Sequence, residues 1–294
     1  MKKKLIYFLI PFAALFFVFG IRSYAYDTGA EYIISQDNGI YELYCGAPDA
    51  PTLIDSHESL CELISEIPQG SCIIFDSVTT DEALEFSYGK YEITGSLDFL
   101  LSGGISICEG ASLTASDLTV KFSENASGTV RVKGGELFVC DGVDIYSART
   151  VPLSVDFSSG ASLCVYGGRI ASGISSAVVC DMGSVKLLGG EIRSGGASAI
   201  KNSATLTLAG ARVEGADYDV VSTTPIRLSF ENKVNTEKSL QVEIDSQYSI
   251  FDCEINFGAN TGIEIDLVIC AYAITENGVE FASSPILSSG DKIS

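Results

Sequence analysis

From residue 93 to about residue 224, apolar and polar positions alternate in runs of only four or five residues, and glycine punctuates each run. Five strings line up: SLDFLLSGGISICEG from Ser96, TVRVKGGELFVCDG from Thr129, SLCVYGGRIASG from Ser162, SVKLLGGEIRSGG from Ser184 and TLTLAGARVEG from Thr205. Their corners fall at Gly103-Gly104, Gly134-Gly135, Gly167-Gly168, Gly189-Gly190 and Ala209-Gly210, with offsets of 31, 33, 22 and 20. Alternation with a period of two marks a half-buried strand. Strands this short bury too little apolar surface to stand alone, so they must stack. A repeat of 20 to 22 residues accommodates three short strands and their corners, one coil of a parallel β-helix. Stacked about 4.8 Å apart, each strand pairs with those above and below. The pattern therefore predicts an all-β solenoid over 93–224, with Leu163, Val165, Ile170, Val185, Leu187, Leu206 and Leu208 turned inward. The two longer offsets call for a loop or an extra half-coil, and Ser123–Gly128 and Ser147–Pro152 are polar enough to supply them. An antiparallel sandwich also has short strands and glycine turns. It gives no reason for a corner recurring at one place within similar strings.

Residues 26–92 lack the repeat. Short strands are expected at Tyr32–Ile34, Gly39–Tyr44 and Cys72–Phe75. Between them Leu60, Leu63, Ile64 and Ile67 have helical spacing. Ser56 or Ser59 is placed to cap that helix; Ser59 has Glu62 three positions on, a capping-box pattern, and Pro68 and Gly70 end it. An open solenoid end exposes strand edges and core, so 26–92 is expected to be an N-terminal cap with one short α-helix. After Thr224-Pro225 the glycine corners stop. Residues 226–294 are expected to be looser coils or a small β domain, with strands at Ile226–Phe230 and Leu240–Ile244 and an apolar run from Ile263 to Ile274.

The N-terminus joins Lys2-Lys3-Lys4 to fifteen uncharged residues, Leu5 to Phe19, followed by Ser23-Tyr24-Ala25. That is the form of a secretory signal peptide over residues 1–25, with cleavage expected after Ala25. The rival, an uncleaved anchor, would have to span a bilayer with a short run containing Pro11. A secreted or cell-surface location follows. The chain has 38 acidic against 18 basic residues, a net charge of −20. Removal of the leader makes it more acidic still. This excludes a nucleic-acid partner, which needs a basic face, and electrostatic attachment to anionic membranes. Nine cysteines in 294 residues are too sparse for a disulfide scaffold and have no metal or redox spacing. They read mainly as small buried hydrophobes, with room for one or two disulfides and at least one thiol left unpaired in a monomer.

The stretches Ser59 to Phe75 and Gly89-Lys90-Tyr91-Glu92-Ile93-Thr94-Gly95, with the glycine corners, carry a family resemblance. Over residues 55 to 224 the chain resembles right-handed parallel β-helix proteins on the surface of gut-dwelling Gram-positive bacteria. At fold level it is similar to pectin and pectate lyases. The resemblance implies a right-handed winding; on activity it implies little, since a fold of this kind hosts many functions.

A lyase or hydrolase on such a fold needs a convergent polar cluster on one outer face. Acidic candidates are Asp141, Asp144, Asp156 and Asp181; basic ones are Arg131, Lys133, Arg149, Arg169, Lys186 and Arg193. Carboxylates on adjacent coils would suit Ca²⁺, but no calcium-loop spacing is present. Nothing marks two carboxylates as a glycosidase pair. His57, the single histidine, stands in Asp55-Ser56-His57-Glu58 with no nucleophile at recognised spacing, and a lone histidine is no metal site. The glycine corners lack the Lys-Ser or Lys-Thr of a phosphate loop. Tyr146 and Tyr166, expected to face outward, make glycan binding the most credible small-molecule role; the absence of tryptophan weakens it. The expectation is a non-enzymatic adhesin-like or structural protein, with a partner among polysaccharides or cell-surface glycans. No catalytic, metal or cofactor residue is assigned. The alternative is a polysaccharide lyase or glycoside hydrolase on the same fold.

Overall fold

The alternating runs fold as expected into stacked coils. The structure, a computed structural model, describes residues 30–46, 50–156, 158, 160–208, 211–217 and 219–222, with the backbone of five further strands between 226 and 283. The expected signal peptide lies outside the described residues. In chain order the first elements are β1 (Glu31–Asp37), β2 (Ile40–Cys45), β3 (Thr52–His57), α1 (Leu60–Glu66), β4 (Cys72–Thr80), β5 (Ala83–Phe86), β6 (Gly89–Phe99), β7 (Gly104–Cys108) and β8 (Ala111–Phe122). Shorter strands follow: β9 (Val130–Lys133), β10 (Glu136–Val139), β11 (Asp144–Ser147), β12 (Leu153–Asp156), β13 (Ser162–Val165), β14 (Arg169–Ser172) and β15 (Val178–Cys180). Then come β16 (Ser184–Leu187), β17 (Glu191–Ser194), β18 (Ile200–Asn202), β19 (Thr205–Leu208), β20 (Arg212–Glu214) and β21 (Val220–Ser222).

The result is a parallel β-solenoid of about seven turns. Its first face stacks β4, β6, β8, β10, β13, β16 and β19; its second continues from the long β8 through β11, β14, β17 and β20; its third stacks β5, β7, β9, β12, β15, β18 and β21. Inside the first face Ile73, Ile93, Ala115, Val139, Val165, Leu187 and Leu208 lie one above another, at steps of 20, 22, 24, 26, 22 and 21 residues. Leu97, Val120, Ile145, Ile170, Ile192 and Val213 form the second inner column. Leu84, Ile105, Val130, Leu153, Val178, Ile200 and Val220 form the third. All are buried, as are the seven residues expected to point inward. Fully burying each of their valine, leucine and isoleucine side chains contributes about 1.5–3 kcal/mol.

Each corner of the coil has its own device. Between the third and first faces stands a column of glycines with φ between +83° and +93°, Gly70, Gly89, Gly110, Gly134 and Gly183. Between the first and second faces six successive described corners each take one left-handed residue: Ser77, Gly95, Asp117, Gly142, Gly168 and Gly190. Between the second and third faces serine does the work. The inward position held by the stacked rings of Phe99 and Phe122 passes to Ser147, Ser172 and Ser194 in the next three coils. Their Oγ atoms accept the amides of Thr150, Ser175 and Ala197, each at 3.0 Å. Ser172 and Ser194 in turn donate to the carbonyls of Thr150 and Ser175, one coil back. A buried hydroxyl is tolerated because both its capacities are used.

This corrects the glycine alignment. Gly134-Gly135 turns from the third face to the first, Gly167-Gly168 and Gly189-Gly190 from the first to the second, and Gly103-Gly104 from the second to the third. The offset of 22 is a true coil, since Leu163 pairs with Val185. The offsets of 31 and 33 compare different corners, each spanning a coil plus part of the next, as the extra-half-coil alternative expected, and the polar stretches 123–128 and 147–152 are ordinary second-to-third corners, not inserted loops. Any of three corners can carry Gly-Gly, so the glycine pair alone does not say which corner it makes.

Parallel stacking also begins well before residue 93, which lies inside β6. β4 already pairs with β6, and β1 pairs in parallel with β4. β2 and β3 then run antiparallel at the sheet edge. The helix α1 forms as its spacing predicts, burying Leu60, Leu63, Ile64 and Ile67 in the same core. Beyond β21, the backbone of β22 (Ile226–Ser229), β23 (Val242–Ile244) and β24 (Ile255–Asn256) continues the parallel ladders, and β25 (Cys270–Thr275) pairs antiparallel with β26 (Gly278–Ser283). Most of the apolar run from Ile263 to Ile274 lies outside the described residues.

Candidate functional site

The acidic and basic candidates do not converge. Asp144 and Arg169 face outward on adjacent coils of the second face and make a bidentate pair, Nε to Oδ1 at 2.9 Å and Nη2 to Oδ2 at 2.7 Å. In register the column continues to Glu191 and Arg212, so charge alternates from coil to coil. In the neighbouring column Arg193 reaches Glu214 at 4.0 Å. On the third face Arg131 pairs with Asp156 at 3.1 Å, beside Lys133 in register. Asp141 stands exposed at a first-to-second corner, where its carboxylate occupies the place a Cβ on Gly167 would need. Asp181 is exposed after β15, Arg149 at a second-to-third corner and Lys186 on the first face. Tyr166 is exposed and Tyr146 half-buried. The set is spread over every face; its paired members tie coils together.

A groove runs instead along the third-to-first corner. It has a volume of about 590 Å³, and its floor is the backbone of Gly70, Gly89, Gly110, Gly134, Gly135 and Gly160. Tyr88, 67% exposed, stands on one wall. Gln69, Lys90, Ser112 and Glu136 supply amide, ammonium, hydroxyl and carboxylate. The ring of Tyr88 lies against Gly110, within 3.1 Å of where a Cβ would be. The trough therefore depends on the lack of side chains along that corner. From the sequence Gly134-Gly135 was legible as a corner and Gly70 as the end of the helix, but the lane was not, because nothing local aligns these glycines on one corner.

A second cluster gathers at the N-terminal end. Asp55 and His57 project from β3 two residues apart, and Glu62 and Glu66 from α1 four apart, spacings that put each pair on one face. His57 Nδ1 lies 2.9 Å from Glu62 Oε2, while Nε2 lies 3.5 Å from Glu66 Oε1 and 3.7 Å from Asp55 Oδ2. Burial lowers the affinity of this imidazole for a proton, but the Glu62 hydrogen bond and the three carboxylates outweigh it, so its pKa is raised. The one histidine is thus not isolated; the helix brings its partners. Glu62 is thereby drawn away from the reciprocal half of a capping box. Its amide is still accepted by Ser59 Oγ at 3.4 Å, while the helix N-terminus is closed by Glu82, whose carboxylate accepts from Leu60 N at 2.8 Å, Cys61 N at 3.1 Å and Ser59 Oγ at 2.7 Å.

The seven described cysteines are free thiols, Cys164 and Cys180 buried. Among the described residues no helix is long and apolar enough to cross a membrane. No known protein family, curated protein or solved structure matches the chain.

Proposed function

We propose that the protein is a secreted or cell-surface β-helix of adhesin-like, non-enzymatic role that binds glycan along the groove of the third-to-first corner. The observation that supports this reading is the groove itself. It offers an exposed tyrosine ring, four kinds of polar group and a floor of glycine backbone along several coils, with the Gln69 side chain over Gly89 and the Tyr88 ring over Gly110. Sugars take such surfaces by stacking on an aromatic face and by hydrogen bonds to hydroxyl and amide groups. A right-handed winding, kinship with pectin-lyase-like surface proteins of Gram-positive gut bacteria, export by the leader and a capping role for 26–92 belong to the same proposal. Their support is the resemblance in Ser59–Phe75 and Gly89–Gly95 and the basic-apolar-small order of residues 1–25. The competing reading, a polysaccharide lyase or hydrolase, needs an acid and a base beside one bond. Against it, Asp144 and Asp156 are engaged by Arg169 and Arg131 on different faces.

Glycan-array screening of the purified full chain, followed by calorimetry on the best oligosaccharide, tests the reading. Tyr88→Ala should weaken binding at least tenfold, about 1.4 kcal/mol, with an unchanged circular-dichroism spectrum, while Tyr166→Ala should leave it alone. Absence of binding, or equal binding by Tyr88→Ala, would overturn the groove assignment. Steady release of reducing ends or unsaturated product would replace it with the enzyme reading.

A further inference from the structure

We propose that Asp55, His57 and Glu66 form a binding site for one divalent transition-metal cation of the zinc type, with Glu62 as the carboxylate that orients the histidine. Three ligand atoms, one each from Asp55, His57 and Glu66, lie within 4.8 Å of one another. A tetrahedral cation bonded at about 2.1 Å holds its ligand atoms about 3.4 Å apart. The His57 Nε2 distances of 3.5 Å to Glu66 and 3.7 Å to Asp55 are close to that edge, and the set as a whole lies within 4.8 Å, so the three side chains must draw together to bind. Glu62, at 2.9 Å, accepts a hydrogen bond from a protonated Nδ1, the tautomer that leaves the Nε2 lone pair free and facing the two carboxylates. That is the outer-shell arrangement by which carboxylates set the tautomer of metal-bound histidines.

The donor set selects the cation. One imidazole nitrogen with two carboxylates suits Zn²⁺ and its neighbours, whereas Ca²⁺ and Mg²⁺ prefer all-oxygen shells with more ligands. Two carboxylate ligands supply the formal charge that balances a divalent ion. All three ligand residues are half-buried, which leaves the fourth position to water. Two of the ligands lie on β3 and one on α1, so the cation would clip the helix to the edge hairpin. The site lies apart from the glycan groove, whose residues it does not share.

The test is calorimetric titration of the metal-free full chain with ZnCl₂ at neutral pH, in the presence of excess Ca²⁺ and Mg²⁺. One Zn²⁺ per chain is expected, with a concentration-dependent rise in melting temperature. His57→Ala and Glu66→Gln should each abolish it, Glu62→Gln should weaken it by about 10–100-fold, and Glu58→Gln should bind like the parent. Co²⁺ in place of Zn²⁺ should show tetrahedral visible absorption without the near-ultraviolet band of cobalt thiolate, a readout that needs no variant. Failure to bind at micromolar Zn²⁺ would overturn the proposal. So would binding retained by His57→Ala, or a thiolate band placing the ion on cysteine.

Discussion

Glu82 shows how a residue can carry a role that its neighbours in sequence do not announce. Its carboxylate closes the N-terminus of a helix that starts 22 residues earlier, where unpaired amides and the positive end of the helix favour an anion. Burial pushes its pKa up, but the amide of Leu60, the hydroxyl of Ser59 and the amide of Cys61 outweigh that and hold it below the ordinary 4.5. A depressed carboxylate contributes stability that is complete above its ordinary pKa and is lost as pH falls through the depressed value. Glu82→Gln should therefore cost about 1 kcal/mol at pH 7, a modest figure because the group is partly exposed. Urea denaturation of both proteins should show the gap closing below about pH 4; a gap that persists unchanged in acid would mean the charge is not what closes the helix. The thiols follow the same physics in the other direction. Burial, then Glu82, pushes Cys61 up to about 11, and burial, then Glu92, does the same to Cys72, while Cys180 is pushed further by burial and by Asp181. With little thiolate and no access, Cys180 should stay unreactive to a thiol reagent until denaturant is added. Labelling at Cys180 in the folded protein, located by peptide mass spectrometry, would contradict its burial.

At the scale of the strand, the inward columns and the corners make separate demands. Leu187 has Val165 below and Leu208 above it and is fully buried. Leu187→Asp should cost several kcal/mol, because a carboxylate would be left without a partner in the core. Lys186→Ala, on the solvent side of the same strand, should change stability by less than about 0.5 kcal/mol. Equal losses from the two in chemical denaturation would refute the assigned faces. At the adjoining corner, a Cβ on Gly189 would collide with the carbonyl of Tyr166 in the coil below. Gly189→Ala should accordingly destabilise in chemical denaturation, by more than the roughly 0.4–1 kcal/mol by which Gly→Ala at an unconstrained site would stabilise. The inward set was legible because alternation has a period of two. The corners were legible as glycine but not as three kinds: φ near +90° at Gly134 and close backbone approach at Gly189 leave the same letter in the chain. The serine corners left a weaker trace, since an inward serine is readable only once Ser147, Ser172 and Ser194 are known to stack.

For the whole molecule, the net charge of −20 sets the field that any extracellular ligand meets. If the groove takes glycan as proposed, neutral polysaccharides should bind with little salt dependence. Polyanionic ones such as polygalacturonate should bind more weakly at about 0.01 M salt and recover toward 1 M, where the screening length falls from about 30 to 3 Å. Tighter polyanion binding at low salt would point to a local cationic site around Lys90 that dominates the field. By itself the sequence determined the class of architecture, the inward positions and the helix, because each rests on spacing between near neighbours; the choice of Ser59 over Ser56 as its cap came from the structure. Tertiary structure decided which corner each glycine makes and where the coils begin. It also set the pairing of Asp144 with Arg169, the closure of α1 by Glu82 and the gathering of Asp55, Glu62 and Glu66 around His57. Those relations join residues that are distant along the chain or on different elements. Their geometry depends on coil lengths that vary from 20 to 26 residues within one column, and no local pattern records that variation.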